Sequence, residues 1–409
     1  MITDAAFAPR ARSDVADVRF GAGALLYETT DRRLHTLNAS AALVWRRLDG
    51  LTTMWDIARS LSDTFAADRA LVEGDVAAAV TRFDELGLLV ATDHETPAES
   101  ASAGSNPASV ESAERSRRLL EQLDAIEWAS ISPVYQAVGL SFRVRSEDVE
   151  VASEVTRVLR SLGSASDHAD HTYSIRTRLH EGVTQWRVYF DGIAIRTVVS
   201  RDAAIALVLW HIDEAAVAHS PGVLFFHGAA VQLGERVVMF PGMMHSGKAT
   251  LSTALVRRGL SYLSNGEVAL DVAVGRALPF PKAISLDSAA RVFFPELFPP
   301  DTMVGDDASE SQWHVDPAAI AGATLGNGGR VALVISPHYV PGASTRLERV
   351  TDVDALRLLL DNTYAFDSLG NRGFHALVTV AQEAAIFRLE YSELEAACEV
   401  VLQLAREIR

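Results

Sequence analysis

The sequence predicts a two-domain α/β (α+β) chain, with an amino-terminal winged helix-turn-helix domain and a larger α/β domain built around a phosphate-type loop. Three observations predict it. Residues 17–92 read as three short strand segments followed by three amphipathic helical segments. Residues 93–115, "DHETPAESASAGSNPASVESAER", are rich in Ala, Ser, Glu and Pro and lack hydrophobic period, the composition of a flexible linker. Residues 116–409 alternate strand-like and helix-like segments, and at 236–259 a strand, a glycine-bounded loop, a lysine and a helix follow one another.

The strand segments of the first domain are "DVRFG" at 17–21, "ALLYET" at 24–29 and "RLHTLN" at 33–38, joined by short turns. The first helix opens at Asn38, a good N-cap, and stops by Gly50. Its Ala42, Val44, Trp45 and Leu48 can line one face. The second is capped by Thr53 and is expected to bury Trp55, Ile57, Ala58 and Leu61 as a stripe. The third, "EGDVAAAVTRFDELGLL", carries Val76, Val80, Phe83 and Leu86. Three strands and then three helices are the order of a winged helix.

"LNASAALVWRRLDGLTTMWDIARSLSDTF" followed by "VAAAVTRFDELGLL" resembles the PqqD family over about residues 15–92. That resemblance implies a recognition element that grips the leader of a ribosomally synthesised, post-translationally modified peptide by strand addition, with no catalytic residue. An edge strand offers unpaired backbone groups and a neighbouring helix offers apolar pockets. Here the peptide falls on Arg33, Leu34, His35, Thr36 and Leu37, and on Val76, Ala79, Val80 and Phe83. The spacing of Val76, Val80 and Phe83 equally describes core. DNA binding is disfavoured, because the helix that would enter a groove, "MWDIARSLSDTF", has one arginine and two aspartates.

In the second domain "GLSFRVRS", "TYSIRTRL", "TQWRVYFDG" and "IAIRTVVS" alternate like half-buried antiparallel strands, and a helix is expected near 201–219. "RVVMF" reads as a buried strand and "KATLSTALVRRG" as a helix. Between them Gly242, Gly247 and Lys248 stand at GxxxxGK spacing, so backbone N–H groups and a helix N-terminus form an anion site. Only Lys248 and Lys282 are lysines among 37 basic residues, and arginine does not replace lysine at a tight phosphate site.

"HGAAV" before the loop, "GLSYLSNGEVALD" after it and "PFPKAISL" beyond resemble the HPr kinase/phosphorylase fold, over roughly residues 135–405. The resemblance implies ATP, magnesium and transfer of phosphate to a serine. Carried over by position, His227, Gly242, Gly247 and Lys248 are retained, with His245 and Ser246 in the loop. Ala249 stands where a magnesium-binding hydroxyl is expected, and Thr250 points about 100° away from that position. Asn265 and Gly266 stand at the acidic pair, leaving Glu267 one or two places along. Met243, Met244 and His245 are expected to crowd the phosphate position. A neutral Asn265 accepts no proton, and an unclamped magnesium does not hold the phosphates.

A net charge of −16 argues against nucleic acid and anionic membranes, and Cys398 alone makes no disulfide. No apolar run approaches 18 residues, and the first residues show no secretory signal, so a cytoplasmic protein is expected. No HExxH and no GxSxG motif occurs, and no metal ligand set is assigned. The carboxylates of 300–312 read as a solvated loop. The reading that results is a non-catalytic partner that binds a precursor's leader peptide and presents it to separate modifying enzymes. The first alternative is an ATP- and Mg²⁺-dependent kinase of the precursor's Ser or Thr, using Glu267, His227 and Asn265. The second is a nucleotide-sensing regulator.

Overall fold

The computed structural model describes residues 6–20, 23–90, 118–164, 166–298, 313–364, 366 and 369–408, so the segments 93–115 and 300–312 lie outside the described residues. The chain forms two compact units, Met1–Ser102 with Phe366–Val378, and Ala103–Ala365 with Thr379–Arg409.

In the first unit β1 (Val15–Phe20), β2 (Gly23–Glu28) and β3 (Arg33–Leu37) form an antiparallel sheet in that order. Helices α1 (Ala39–Trp45), α2 (Met54–Phe65) and α3 (Arg69–Glu85) follow. The caps legible in the sequence are in place: Asn38 accepts from the Ala41 N–H and Thr53 from the Asp56 N–H. Asp68 caps α3 in the same way, so that helix starts earlier than Glu73, where the apolar pattern put it. The helices pack on Val15, Ala24, Leu26 and Leu37 of the sheet, with Trp45 edge-on to Phe83 at 5.2 Å.

Trp55 departs from its expected burial. The inward face of α2 is made by Met54, Ile57, Ala58 and Leu61, and the residue after Met54 is rotated about 100° from it. Trp55 is 41% exposed, with the guanidinium groups of Arg59 and Arg69 4.5 and 4.6 Å from its ring centre. β2 departs from simple alternation in a different way: all six of its residues are buried. Leu25 and Tyr27 face away from the helices, and Tyr27 is covered by Phe366, edge-on at 5.1 Å, and by Phe374, stacked at 5.4 Å.

The second unit has two principal sheets. In the first, β4 (Ser130–Ile131), β6 (Leu140–Ser146), β7 (His171–His180), β8 (Val183–Phe190) and β9 (Ile193–Val198) run in that order, and β5 (Tyr135–Ala137) also pairs with β6. β6 and β7 are parallel rather than antiparallel, because helix α4 (Val149–Leu159) makes the crossover between them. Helix α5 (Arg201–Ala218) leads to the second sheet.

That sheet is ordered β11 (Arg236–Pro241), β10 (Val223–Leu233), β12 (Ser261–Asp271), β13 (Arg276–Leu278), β16 (Gly329–Tyr339), β19 (Ala385–Tyr391), β17 (Arg346–Val350). β11 also pairs with β16 in parallel, and β18 (Thr363–Tyr364) pairs with β10. A small sheet joins β14 (Ile284–Leu286) to β15 (Trp313–Val315). The second unit also holds helices α6 (Lys248–Arg257), α7 (Asp352–Asp361) and α9 (Leu394–Glu407), and helix α8 (Gly370–Glu383) begins in the segment assigned to the first unit. Leu251 and Leu255 of α6 share an apolar cluster with Phe240 of β11, Leu389 of β19 and Val401 of α9, and this cluster fixes the loop between β11 and α6.

Candidate functional site

The loop from Gly242 to Gly247 leaves a buried strand and enters α6, as the sequence indicates. His245 and Gly247 both take positive φ, 62° and 92°. Glycine is required at 247 for two reasons: the left-handed backbone, and a Cβ there would lie 2.2 Å from the Tyr391 hydroxyl oxygen. Gly247 caps α6 with no side-chain hydrogen bond, so the first-turn N–H groups are not capped by a side chain. Ser246 Oγ is buried and has no protein partner.

Lys248 does not extend into open space. Its ammonium donates to the Met243 carbonyl, at 2.6 Å, and burial lowers its pKa to about 8. Met243 and Met244 are 75% and 63% exposed on the loop, and His245 beside them is exposed too. Ala249 is half-buried against the apolar cluster under the loop. Thr250 is half-buried one residue further along α6.

Beside the loop lies a buried ionic cluster. The Gly242 N–H donates to the His227 carbonyl, at 3.3 Å, and His227 stands opposite Glu267 in the β10–β12 register. Glu267 Oε2 accepts from Lys282 Nζ at 2.7 Å, and Lys282 Nζ also donates to Asp213 Oδ1 from α5. Burial alone would push the Lys282 ammonium down; the two carboxylates outweigh it and hold the group charged, above its ordinary pKa. Burial drives the Asp213 carboxyl well up, against the pull of Lys282, and the charge of Glu267 adds to the rise. Burial, followed by the Lys248 charge, lowers His227. Lys282 is therefore neither a surface charge nor available to a phosphate.

Gly266 has φ 95°, and a Cβ on it would approach Lys282 Nζ to 3.3 Å. Asn265 is buried and carries no charge. Glu267, the remaining candidate base, is committed to the Lys282 ammonium. Tyr262 closes the cluster by donating its hydroxyl to the Lys282 carbonyl, at 2.8 Å. Sequence reasoning singled out Glu267 and Lys282 but missed Asp213, whose signal is a carboxylate set in the apolar helix "ALVLWHIDEAAVA".

A cleft of about 470 Å³ opens on the other side of the loop, lined by Gly242, Met243 and Ser246, by Ser336–His338, by Asp361 and Asn362, and by Arg346, Glu348 and Arg388–Glu390. The charges of its far wall face one another across β17 and β19, Arg346 opposite Glu390 and Glu348 opposite Arg388. No group of three or more His, Cys, Asp or Glu suited to hold a metal occurs among the described residues.

In the first unit β3 is the edge of its sheet. Arg33 and Thr36 are exposed, and Leu34 is half-buried. His35 turns to Glu28, Nε2 to Oε1 at 2.7 Å, and Leu37 is core. Just beyond β3 a groove of about 370 Å³ runs between the helices, lined by Ala41, Leu61, Phe65, Val72, Val76 and Ala79 among others. Of the four α3 positions assigned to a peptide, Val76 and Ala79 line this groove. Val76, Val80 and Phe83 share one helical phase and are all buried in the core, so Val80 and Phe83 are packing residues and Val76 meets the groove only at its floor, beside half-buried Ala79.

Comparison with known proteins gives the following. The structure titled "Lasso peptide synthetase B1 complexed with the leader peptide" is similar at 27% identity and TM-score 0.19, covering 20% of this chain and 99% of that one. "TbiB1 in Complex with the TbiA(beta) Leader Peptide" is similar at 16% identity and TM-score 0.19, covering 21% and 98%. The Hpr(Ser) kinase/phosphatase from Coxiella burnetii is similar at 15% identity and TM-score 0.23, covering 45% and 94%. No curated protein matches. Over residues 23–89, the three-stranded sheet's β2 and β3 together with α1–α3, this chain matches the family described as Coenzyme PQQ synthesis protein D (PqqD).

Proposed function

We propose that this protein is a leader-peptide-binding, non-catalytic partner in the biosynthesis of a ribosomally synthesised, post-translationally modified peptide. Its winged-helix recognition domain, residues 17–92, takes the leader of a precursor, and the HPr-kinase-like domain, residues 116–409, serves separate modifying enzymes rather than transferring phosphate. It acts in the cytoplasm, where precursor and enzymes meet. The observation that carries the reading is the edge strand β3 ending at an apolar groove, inside the segment that matches PqqD. An extended peptide adding to β3 satisfies the edge backbone, and an apolar side chain entering between Leu61, Val72 and Ala79 sets its register.

The non-catalytic half of the proposal rests on the second unit. Ala249 meets apolar neighbours, Asn265 is neutral, Glu267 holds Lys282, and Lys248 holds its own loop. A second reading, a nucleotide-sensing regulator, is favoured by one observation: α6 starts at Gly247 with no side-chain cap and with Ser246 Oγ unpartnered beside it.

The binding half is tested by titrating the full chain into a fluorescein-labelled synthetic peptide carrying the leader of its cognate precursor. Anisotropy saturating with a Kd of about 10 µM or tighter, roughly −7 kcal/mol or better, is the expected result. A flat titration up to about 100 µM contradicts leader capture.

A further inference from the structure

We propose that the outward face of the sheet built from β4 to β9 is a docking surface for a carboxylate-rich segment of a partner protein. The other face of that sheet is core: Val144, Tyr173, Ile175, Trp186 and Val188 pack with Val155 of α4 and Val208 of α5. Strand alternation turns the residues between them outward. On β6 these include Arg143 and Arg145, on β7 Arg176 and Arg178, and on β8 Arg187. The register gathers them: Arg145 stands beside Ser174, Arg176 directly opposite Arg187, and Arg178 opposite Gln185. A chain of net charge −16 thus collects five arginines on one face of one sheet.

Two carboxylates pair with them. Asp124 accepts from Arg145 at 2.6 Å, and Glu147 accepts from Arg176 at 3.0 Å. The other three have no ion-pair partner among the described residues. Arg143 donates to the Asp167 carbonyl, Arg178 donates to the Gln185 side chain, and Arg187 lies 5.5 Å from the centre of the Tyr189 ring. Like charges directly opposite one another on neighbouring strands repel, so the Arg176–Arg187 pair is a local cost that an incoming anion relieves. Arg176 and Arg178 are exposed and Arg187 is half-buried. Side chains on one side of an extended peptide recur about every 7 Å, so alternate carboxylates can meet successive arginines. The guanidinium fork then holds each carboxylate as it already holds Asp124 and Glu147. Two observations favour an acidic polypeptide over nucleic acid. The aromatic rings of this face, Trp128 and Tyr189, each already carry a guanidinium where a base would stack. A long polyanion would also meet the acidic remainder of the chain, which a short acidic segment does not.

The face lies wholly within the second unit, so the proposal does not depend on leader capture. It is tested with the full chain and a short fluorescein-labelled peptide that alternates Glu and Ser, followed by anisotropy. Saturable binding is expected, weakening at least about threefold as salt rises from about 50 to about 200 mM. Arg178→Gln with Arg187→Gln is expected to weaken it about tenfold, with the unfolding midpoint unchanged. Arg357→Gln with Arg406→Gln removes the same charge from exposed positions on α7 and α9 and is expected to leave binding as in wild type. No binding of the acidic peptide overturns the proposal, and so does an equal loss in both double variants, which would reduce the effect to net charge. Tighter binding of a labelled oligothymidylate of equal charge, lost in Arg178→Gln with Arg187→Gln, overturns it in favour of nucleic acid. A dimer seen by light scattering that the same two substitutions dissociate overturns it in favour of a second copy of this chain.

Discussion

Lys282→Met is expected to destabilise the protein by about 3–5 kcal/mol, because it strands two buried carboxylates without their cation. The wild-type cluster balances one ammonium against Glu267 and Asp213 in a site from which water is largely excluded. With methionine, neither acid keeps its cation, and the Asp213 carboxyl, already raised by burial, loses the one partner that pulls it down. The sign of the pH dependence follows. A carboxyl whose folded pKa is raised binds protons more tightly folded than unfolded, so its contribution is favourable at low pH and is lost as pH rises above its unfolded value near 4. The variant should therefore lose least at pH 5 and most at pH 8, read by urea unfolding at both values. An equal loss at both would show that the ions do not carry the effect. Lys282→Met with Asp213→Asn and Glu267→Gln should recover much of the loss, since the remaining groups are neutral.

Ala79→Arg is expected to weaken leader-peptide binding at least tenfold, about 1.4 kcal/mol or more, while leaving unfolding within about 0.5 kcal/mol of wild type. Ala79 is half-buried on the groove wall, so a long cationic side chain there occupies the groove without entering the core. Phe83→Ala provides the contrast. Phe83 is fully buried against Trp45, and its truncation should cost about 3–5 kcal/mol of stability. Anisotropy titration and urea unfolding on the same preparations separate the two effects. Unaltered leader affinity in Ala79→Arg would remove the groove from the peptide site.

Much of this was legible along the chain, wherever local chemistry decides local structure. Asn38 and Thr53 start helices because their side chains satisfy first-turn N–H groups, and that requirement is visible in a few residues. The strand, loop, lysine and helix around Gly242–Lys248 likewise follow from a short run of sequence. Trp55 is bulky and apolar, which suggests burial, but its phase lies off the stripe of Met54, Ile57, Ala58 and Leu61, and flanking arginines stack on it instead. The continuous apolar run of β2 does signal burial on both faces, but nothing local names the cover, because Phe366 and Phe374 reach Tyr27 only through tertiary folding. For the same reason Glu267 could be noticed beside the loop while its commitment to Lys282, and the role of Asp213, could not.

These contacts also bear on the proposal that the second unit does not transfer phosphate. Transfer needs a cation clamped on the phosphates and a base within reach of the acceptor hydroxyl. In this chain the acid beside the loop is bound to an internal ammonium, and the loop lysine is bound to its own backbone. The most direct test is to incubate the full chain with γ-labelled ATP, magnesium and the precursor peptide, and to follow label in the peptide. The account predicts none above the level of a Lys248→Met control. Labelled phosphopeptide that forms with wild type and disappears in both Lys248→Met and Glu267→Gln would contradict it.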